Sequence, residues 1–248
     1  MAGKKRESGD PQTKSLAQQV EKTRTRAKSY VMDLRVQSPA SRGYLGVEGL
    51  DSAPAMVRLA KVKGLDVIAI SDFYSGEFID RVVSAASSSP LTVIPGVSVR
   101  CQVKACSEVI ISCLFPETTT TGDVESFLRS LDIPREAKGN SEFVVRRTLD
   151  QVLKAIGDYN GEAISSRIDK TPHRMTVLPE LVEVYGFRAF DLTFLDSATA
   201  IKKRWPKLPF QFFSFSDANA LAQIGSRTAK VKLSTPGFAG IREILARQ

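Results

Sequence analysis

The feature that most constrains the fold is an alternation of short apolar runs with amphipathic segments, repeated about seven times along the chain. Residues 65–70, Leu-Asp-Val-Ile-Ala-Ile, are nearly all apolar, the composition of a strand covered on both faces. Just before them, Asp51 and Ser52 precede Pro54, which suits a first helical turn. Met56, Leu59, Ala60 and Val62 then form an apolar stripe that Gly64 ends. After the run, Phe78, Ile79, Val82, Val83 and Ala86 recur at helical spacing, so a second helix follows. The same patterns predict strands at residues 30–36, 91–94, 106–114, 162–168, 189–194, 209–215 and 231–233. They predict helices over 123–131, 143–156 (ended by Gly157), 178–184, 198–204 (broken by Pro206) and 238–245. Strands alternating with helices imply an α/β protein with parallel strands. With 248 residues, a closed or nearly closed barrel fits better than an open doubly wound sheet. No GxGxxG or GxxxxGK[ST] follows any of the strands, which disfavours dinucleotide and P-loop binding.

Charge divides the chain into two parts. The formal net charge is +8, and residues 1–28 carry eight Lys and Arg against three Asp and Glu. Their large apolar residues after Met1 are only Leu16 and Val20, so 1–28 reads as a flexible basic arm and 29–248 as a single barrel domain. Lys4, Lys5, Arg6, Lys22, Arg24, Arg26 and Lys28 make the arm a candidate for binding nucleic acid or another polyanion. The three cysteines, Cys101, Cys106 and Cys113, fall in strand-like sequence and read as buried thiols, not a disulfide framework. No apolar run approaches the length of a membrane span, and the basic start lacks the apolar core of a signal peptide, so a cytoplasmic location is expected.

The chain has one histidine, His173, which excludes any mechanism that needs two imidazoles. It reads as an exposed loop residue without a catalytic role. Sites in parallel α/β folds form at the C-terminal ends of strands, and the residues there carry a resemblance. Asp33-Leu34-Arg35-Val36-Gln37-Ser38 resembles D-L-H-x-H-S. Gly64-Leu65-Asp66-Val67-Ile68-Ala69-Ile70-Ser71-Asp72-Phe73 resembles G-L-D-V-I-A-I-T-D-H. Val93-Ile94-Pro95-Gly96-Val97-Ser98-Val99 resembles V-I-P-G-V-E-V, and Glu108-Val109-Ile110 resembles E-V-H. Ser166-Arg167-Ile168-Asp169-Lys170 resembles A-H-x-D-R, and Ser216-Asp217-Ala218-Asn219, followed by Ile224-Gly225, resembles S-D-A-H with its trailing I-G. In this order they resemble the polymerase and histidinol phosphatase (PHP) family, metal-dependent phosphoesterases on a distorted (β/α)7, TIM-like barrel. The resemblance covers about residues 30–246.

The departures fall on the family's metal ligands. Arg35, Gln37, Phe73, Ile110, Arg167 and Asn219 stand where the family has histidines, and Ser98 stands where it has glutamate. Only Asp72 and Asp217 remain, and two carboxylates do not supply a multinuclear site. The resemblance therefore implies a degenerate metal site, with no metal and no cofactor expected. It places Asp72 and Asp217 across the barrel mouth, where Arg35 and Arg167 are expected to replace the lost cations. Arg35, Arg100, Arg167 and Lys170 form a candidate clamp for phosphate or sulfate. Three readings of function follow. The first is a pseudoenzyme, a PHP-like protein acting as a binding, regulatory or structural module for an unidentified protein partner, a phosphorylated ligand or a nucleic-acid end. The second is a metal-dependent phosphoesterase with a reduced metal site, using Asp72, Asp217 and other acidic groups such as Asp169 and Asp191 with a single Mg2+. The third is a nucleic-acid-binding subunit that uses the basic arm, as the barrel-shaped protein of ribonuclease P would suggest.

Overall fold

A computed structural model describes residues 28–104 and 106–245. The basic arm lies outside the described residues except for Lys28, the exposed first residue of β1. The strands are β1 (Lys28–Val36), β2 (Val67–Ile70), β3 (Thr92–Val103), β4 (Cys106–Leu114), β5 (Glu162–Ser166), β6 (Ala189–Asp191), β7 (Gln211–Phe213) and β8 (Ala229–Leu233). They form one sheet in the order β7-β6-β5-β4-β3-β2-β1-β8. The chain closes the wall beyond β7, where Gln37 N donates to Ala218 O (2.8 Å) and Ala218 N to Arg35 O (3.3 Å). Below that closure β8 pairs antiparallel with residues 28–32 of β1.

The parallel expectation holds for β1–β2–β3 and β5–β6–β7 but not for β4, which runs antiparallel to both its neighbours. The reason is length. β3 continues to Val103, so only residues 104 and 105 connect it to β4, and a parallel crossover needs a dozen or more. Lys104 turns the chain with a positive φ of 44°. Ser98 therefore lies within β3 and not after it.

Eight α-helices are described: α1 (Ser52–Val62), α2 (Ile79–Ala86), α3 (Thr121–Ser130), α4 (Leu149–Asp158), α5 (Pro172–Thr176), α6 (Leu178–Glu183), α7 (Ser197–Arg204) and α8 (Phe238–Leu245). Asp51 caps α1 by accepting from Ala53 N, as its position before Pro54 predicts. α4 begins later than the predicted 143, because Thr148 and Gln151 form a capping box at its start. It runs through Gly157 and ends at Asp158. His173 is exposed, as expected, but sits on the short helix α5 and not in a loop.

Two apolar cores result. Inside the barrel, Met32, Leu34, Val67, Ala69, Ile94, Leu114, Ile164, Phe213 and Phe215 pack with Phe238, Ile241 and Leu245 of α8. Between the wall and the other helices lies the larger core, including Met56, Ile79, Phe127, Val152, Ile156 and Leu181. All three cysteines are buried, Cys101 in β3 and Cys106 and Cys113 in β4. Among the described residues no helix is long and apolar enough to cross a membrane.

Candidate functional site

β7 is shorter than the predicted strand because side chains take over its ladder. Asp191 Oδ1 accepts from Phe215 N (2.9 Å), and Asp33 accepts from Ser216 N (3.1 Å) and Gly225 N (3.0 Å). These bonds bring residues 214–217 against the C-terminal end of β1. Arg167 follows β5 and Asp217 follows the β7 extension, both with positive φ, 51° and 53°. Non-glycine residues rarely adopt that conformation, and it costs roughly 1–2 kcal/mol per residue. Here it turns both side chains into one cavity of about 680 Å³.

Arg35, Gln37, Phe73, Ile110, Arg167, Asp217 and Asn219 all line this cavity, together with Arg100 and Lys170. Arg35 is buried, at 2% exposure. Its Nη2 lies 3.2 Å from Asp217 Oδ1 and its Nη1 lies 3.6 Å from Asp191 Oδ2. Arg167 Nη1 donates to Asp217 Oδ2, and Gln37 Nε2 donates to Asp217 Oδ1 (3.2 Å). The Asp217 carboxylate thus holds two guanidiniums and an amide. Both arginines thus reach the Asp217 carboxylate, and Asp191 is a further partner of Arg35.

Asp72 does not face Asp217 across the mouth as the resemblance implies. It is fully buried and does not line the cavity. Ser38 N (2.7 Å), Ser38 Oγ (2.6 Å) and Ser41 Oγ (2.6 Å) donate to its carboxylate, so it pins the loop after β1 instead of facing Asp217. Burial pushes its carboxyl up to about 6 despite these bonds. Ser98 is also buried away from the cavity, its backbone bonded to residues 72 and 74. Asp169 accepts from Thr193 N and Phe194 N and holds a loop together.

Two cations outside the sequence motifs also line the cavity. Arg174, on α5, is buried and donates from Nη1 to Arg167 O (3.3 Å). Arg227, after the Ile224-Gly225 pair, donates to Thr193 O and to Ser216 O (3.0 Å). Reading only the residues directly after each strand misses both. Their signal is a cation a few positions beyond a matched motif. The cavity is therefore lined by Arg35, Arg100, Arg167, Lys170, Arg174 and Arg227, against the carboxylates of Glu142 and Asp217. Arg167 shows the consequence. Burial, and then the nearby charges of Arg35 and Arg174, hold its guanidinium down at about 10.

These residues do not fit a metal cluster. Arginine, phenylalanine and isoleucine side chains offer no lone pair to a cation, and the Asp217 carboxylate is already engaged by three donors. Among the described residues no group of three or more His, Cys, Asp and Glu could hold an ion.

No family model and no curated relative matches the sequence. Solved structures do match. The lesion-specific endonuclease PfuEndoQ from Pyrococcus furiosus superposes with a TM-score of 0.63 at 15% identity, over 88% of this chain and 56% of its own. An endonuclease Q complex with a 27-mer duplex substrate, which has an abasic lesion at the active site, gives 0.62 at 16%, over 87% and 56%. The chain thus spans about half the length of these two structures. A structure described as a metal-dependent phosphoesterase from Bifidobacterium adolescentis gives 0.54 at 10%, over 86% of this chain and 94% of its own. The barrel is mixed α/β, nearly closed, and shared with these proteins: the chain has the PHP-type, TIM-like barrel fold.

Proposed function

We propose that the barrel mouth binds a phosphate-bearing anion and that the protein is a binding or regulatory module, not a metal-dependent hydrolase. The observation that carries this reading is the state of the arginines. Arg35 Nε and Arg167 Nε are buried without a hydrogen-bond partner among the described residues, and Arg35 Nη1 reaches Asp191 only at 3.6 Å. A buried donor left unpaired costs about 1–3 kcal/mol, and an oxyanion would satisfy several of these donors at once. The cationic majority in the cavity supports the same ligand. The shared fold with an endonuclease Q bound to duplex DNA makes a phosphorylated nucleic-acid end one natural source of that phosphate. The reduced-site phosphoesterase reading is weaker, because Asp72, Asp169 and Asp191 are engaged in bonds to backbone or serine groups.

The test is thermal unfolding and calorimetry with inorganic phosphate and methyl phosphate, alongside metal analysis and a phosphoesterase assay with Mn2+, Mg2+ and Zn2+. The expected result is a melting temperature that rises with phosphate concentration, no turnover, and loss of the response in Arg167→Ala. Silence of both probes on the wild-type chain and on Asp217→Asn alike overturns the reading. So does stoichiometric metal accompanied by turnover.

A further inference from the structure

The guanidiniums of the proposed anion seat already hold a carboxylate of the chain itself. Asp217 accepts from Arg167 Nη1 and from Gln37 Nε2 (3.2 Å) and lies 3.2 Å from Arg35 Nη2, and all four residues line the cavity. A carboxylate and a phosphate accept from a guanidinium in the same two-oxygen manner. The backbone keeps the carboxylate in place. On one side Ser216 N donates to Asp33 Oδ1 (3.1 Å). On the other, Ala218 N donates to Arg35 O (3.3 Å) and Ala218 O accepts from Gln37 N (2.8 Å). Between them the positive φ of Asp217, 53°, turns its side chain into the cavity. Tethering of this kind gives an internal group a high effective concentration.

An anion that takes these guanidiniums has to displace Asp217 or sit beside its charge. Displacement breaks the same tethered pairs whatever the anion, and sitting beside Asp217 adds repulsion that grows with the anion's charge. Both lower affinity. We propose that Asp217 is an autoinhibitory contact, an internal pseudo-ligand that keeps the anion seat closed in the unliganded protein. It acts against anions in general and does not select one class. The empty seat needs this carboxylate, because Arg35 and Arg174 crowd Arg167 with like charge and Asp217 offsets them. Removing it therefore moves stability down and anion affinity up. A residue that only organised the arginines would lower both. The proposal rests on the anion seat argued above.

The experiment measures binding of methyl phosphate and dimethyl phosphate by calorimetry on the full chain as wild type, Asp217→Asn, Asp217→Gly and Glu142→Gln. Ionic strength is fixed, and the pH is about 1.5 units above the second pKa of phosphate (about 6). Asparagine and glycine both accept a positive φ, so either variant keeps the backbone conformation at 217. Each Asp217 variant is expected to bind methyl phosphate at least about tenfold more tightly than the wild type, and to gain less for the monoanionic dimethyl ester. Without ester, Asp217→Asn should unfold at a lower urea concentration than the wild type. Glu142→Gln removes the same charge from the same cavity, but the Glu142 side chain is 80% exposed against 10% for Asp217, so solvent and salt screen it. Its gain should stay below about threefold. Methyl phosphate bound by the wild type, with a gain below about tenfold in both Asp217 variants, overturns the closed seat and leaves Asp217 as an organiser of the arginines. A gain in Glu142→Gln as large as in Asp217→Asn overturns it too, since the net charge of the cavity then suffices. Binding of neither ester to any of the four proteins overturns the anion seat itself.

Discussion

Asp72 and Asp191 are both buried carboxylates, and burial pushes each up to about 6, above the ordinary 3.8. Their partners differ. Asp72 is held by Ser38 and Ser41, and Asp191 by Phe215 N and the charge of Arg35. Between about pH 4 and pH 6 the folded chain binds more protons at these sites than the unfolded chain. Stability from these two groups is therefore full below pH 4, falls as the pH rises through 6, and stays lost above it. A two-unit shift corresponds to about 3 kcal/mol per group. The urea midpoint should drop between pH 4 and pH 7, and Asp72→Asn should remove part of that drop, since Asp33, also raised by burial, contributes with Asp191 to the rest. An unchanged slope in the variant would show that Asp72 does not titrate in this window. Arg35→Met should cost about 3–5 kcal/mol, since it leaves Asp191 buried without its counter-charge. A loss below about 1 kcal/mol by urea unfolding would remove the idea of a buried charge substitute. Arg35, Arg167 and Asp217 were legible in the sequence because strand ends project into a barrel mouth. The retreat of Asp72 was not, because its serine partners come from a loop that no periodicity announces.

At the level of elements, β3 decides where the mouth can open. A Cβ on Gly96 would lie 2.9 Å from both Cys113 O and Ile70 O, backbone atoms of the strands on either side. Neither carbonyl can move without breaking its ladder. Gly96→Ala should therefore destabilise by about 1–3 kcal/mol, read as a lower urea midpoint, through strain and not through lost contacts. A neutral result would mean that the wall between β2 and β4 is more pliant than its register implies. The apolar pattern identified β3 and β4 as strands but not their direction, because the period-2 alternation of a strand is the same either way along the chain. The sequence between the two strands, Lys104-Ala105, carries none of the Asn-Gly or Asp-Gly chemistry that marks a hairpin. Helix starts were more legible where a cap is a local chemical event, as at Asp51. Thr148 belongs to the same class, but the apolar residues before it extended the apparent helix.

Across the whole molecule, positive charge stands in two places with different chemistry. The barrel mouth concentrates guanidiniums in a cavity partly shielded from water, where shape and ligand charge decide binding. Residues 1–27 carry seven Lys and Arg against three acids in sequence with few apolar side chains. Such a segment attracts a polyanion through counterion release, with little regard for its ends. If both act, a single-stranded oligonucleotide should bind in two separable ways. Affinity should fall steeply with salt, and deleting residues 1–27 should flatten that dependence for 5′-phosphorylated and unphosphorylated strands equally. Preference for the phosphorylated end should survive the deletion, because it belongs to Arg35, Arg167 and Asp217, and should be lost in Arg167→Ala. The described residues 28–245 contain both apolar cores, so the shortened chain keeps the barrel that the comparison requires. Salt-titrated fluorescence anisotropy with the two strands separates the contributions. An unchanged salt slope after deletion removes the arm from the account. Loss of the end preference together with the arm places phosphate recognition in the arm and not at the barrel mouth.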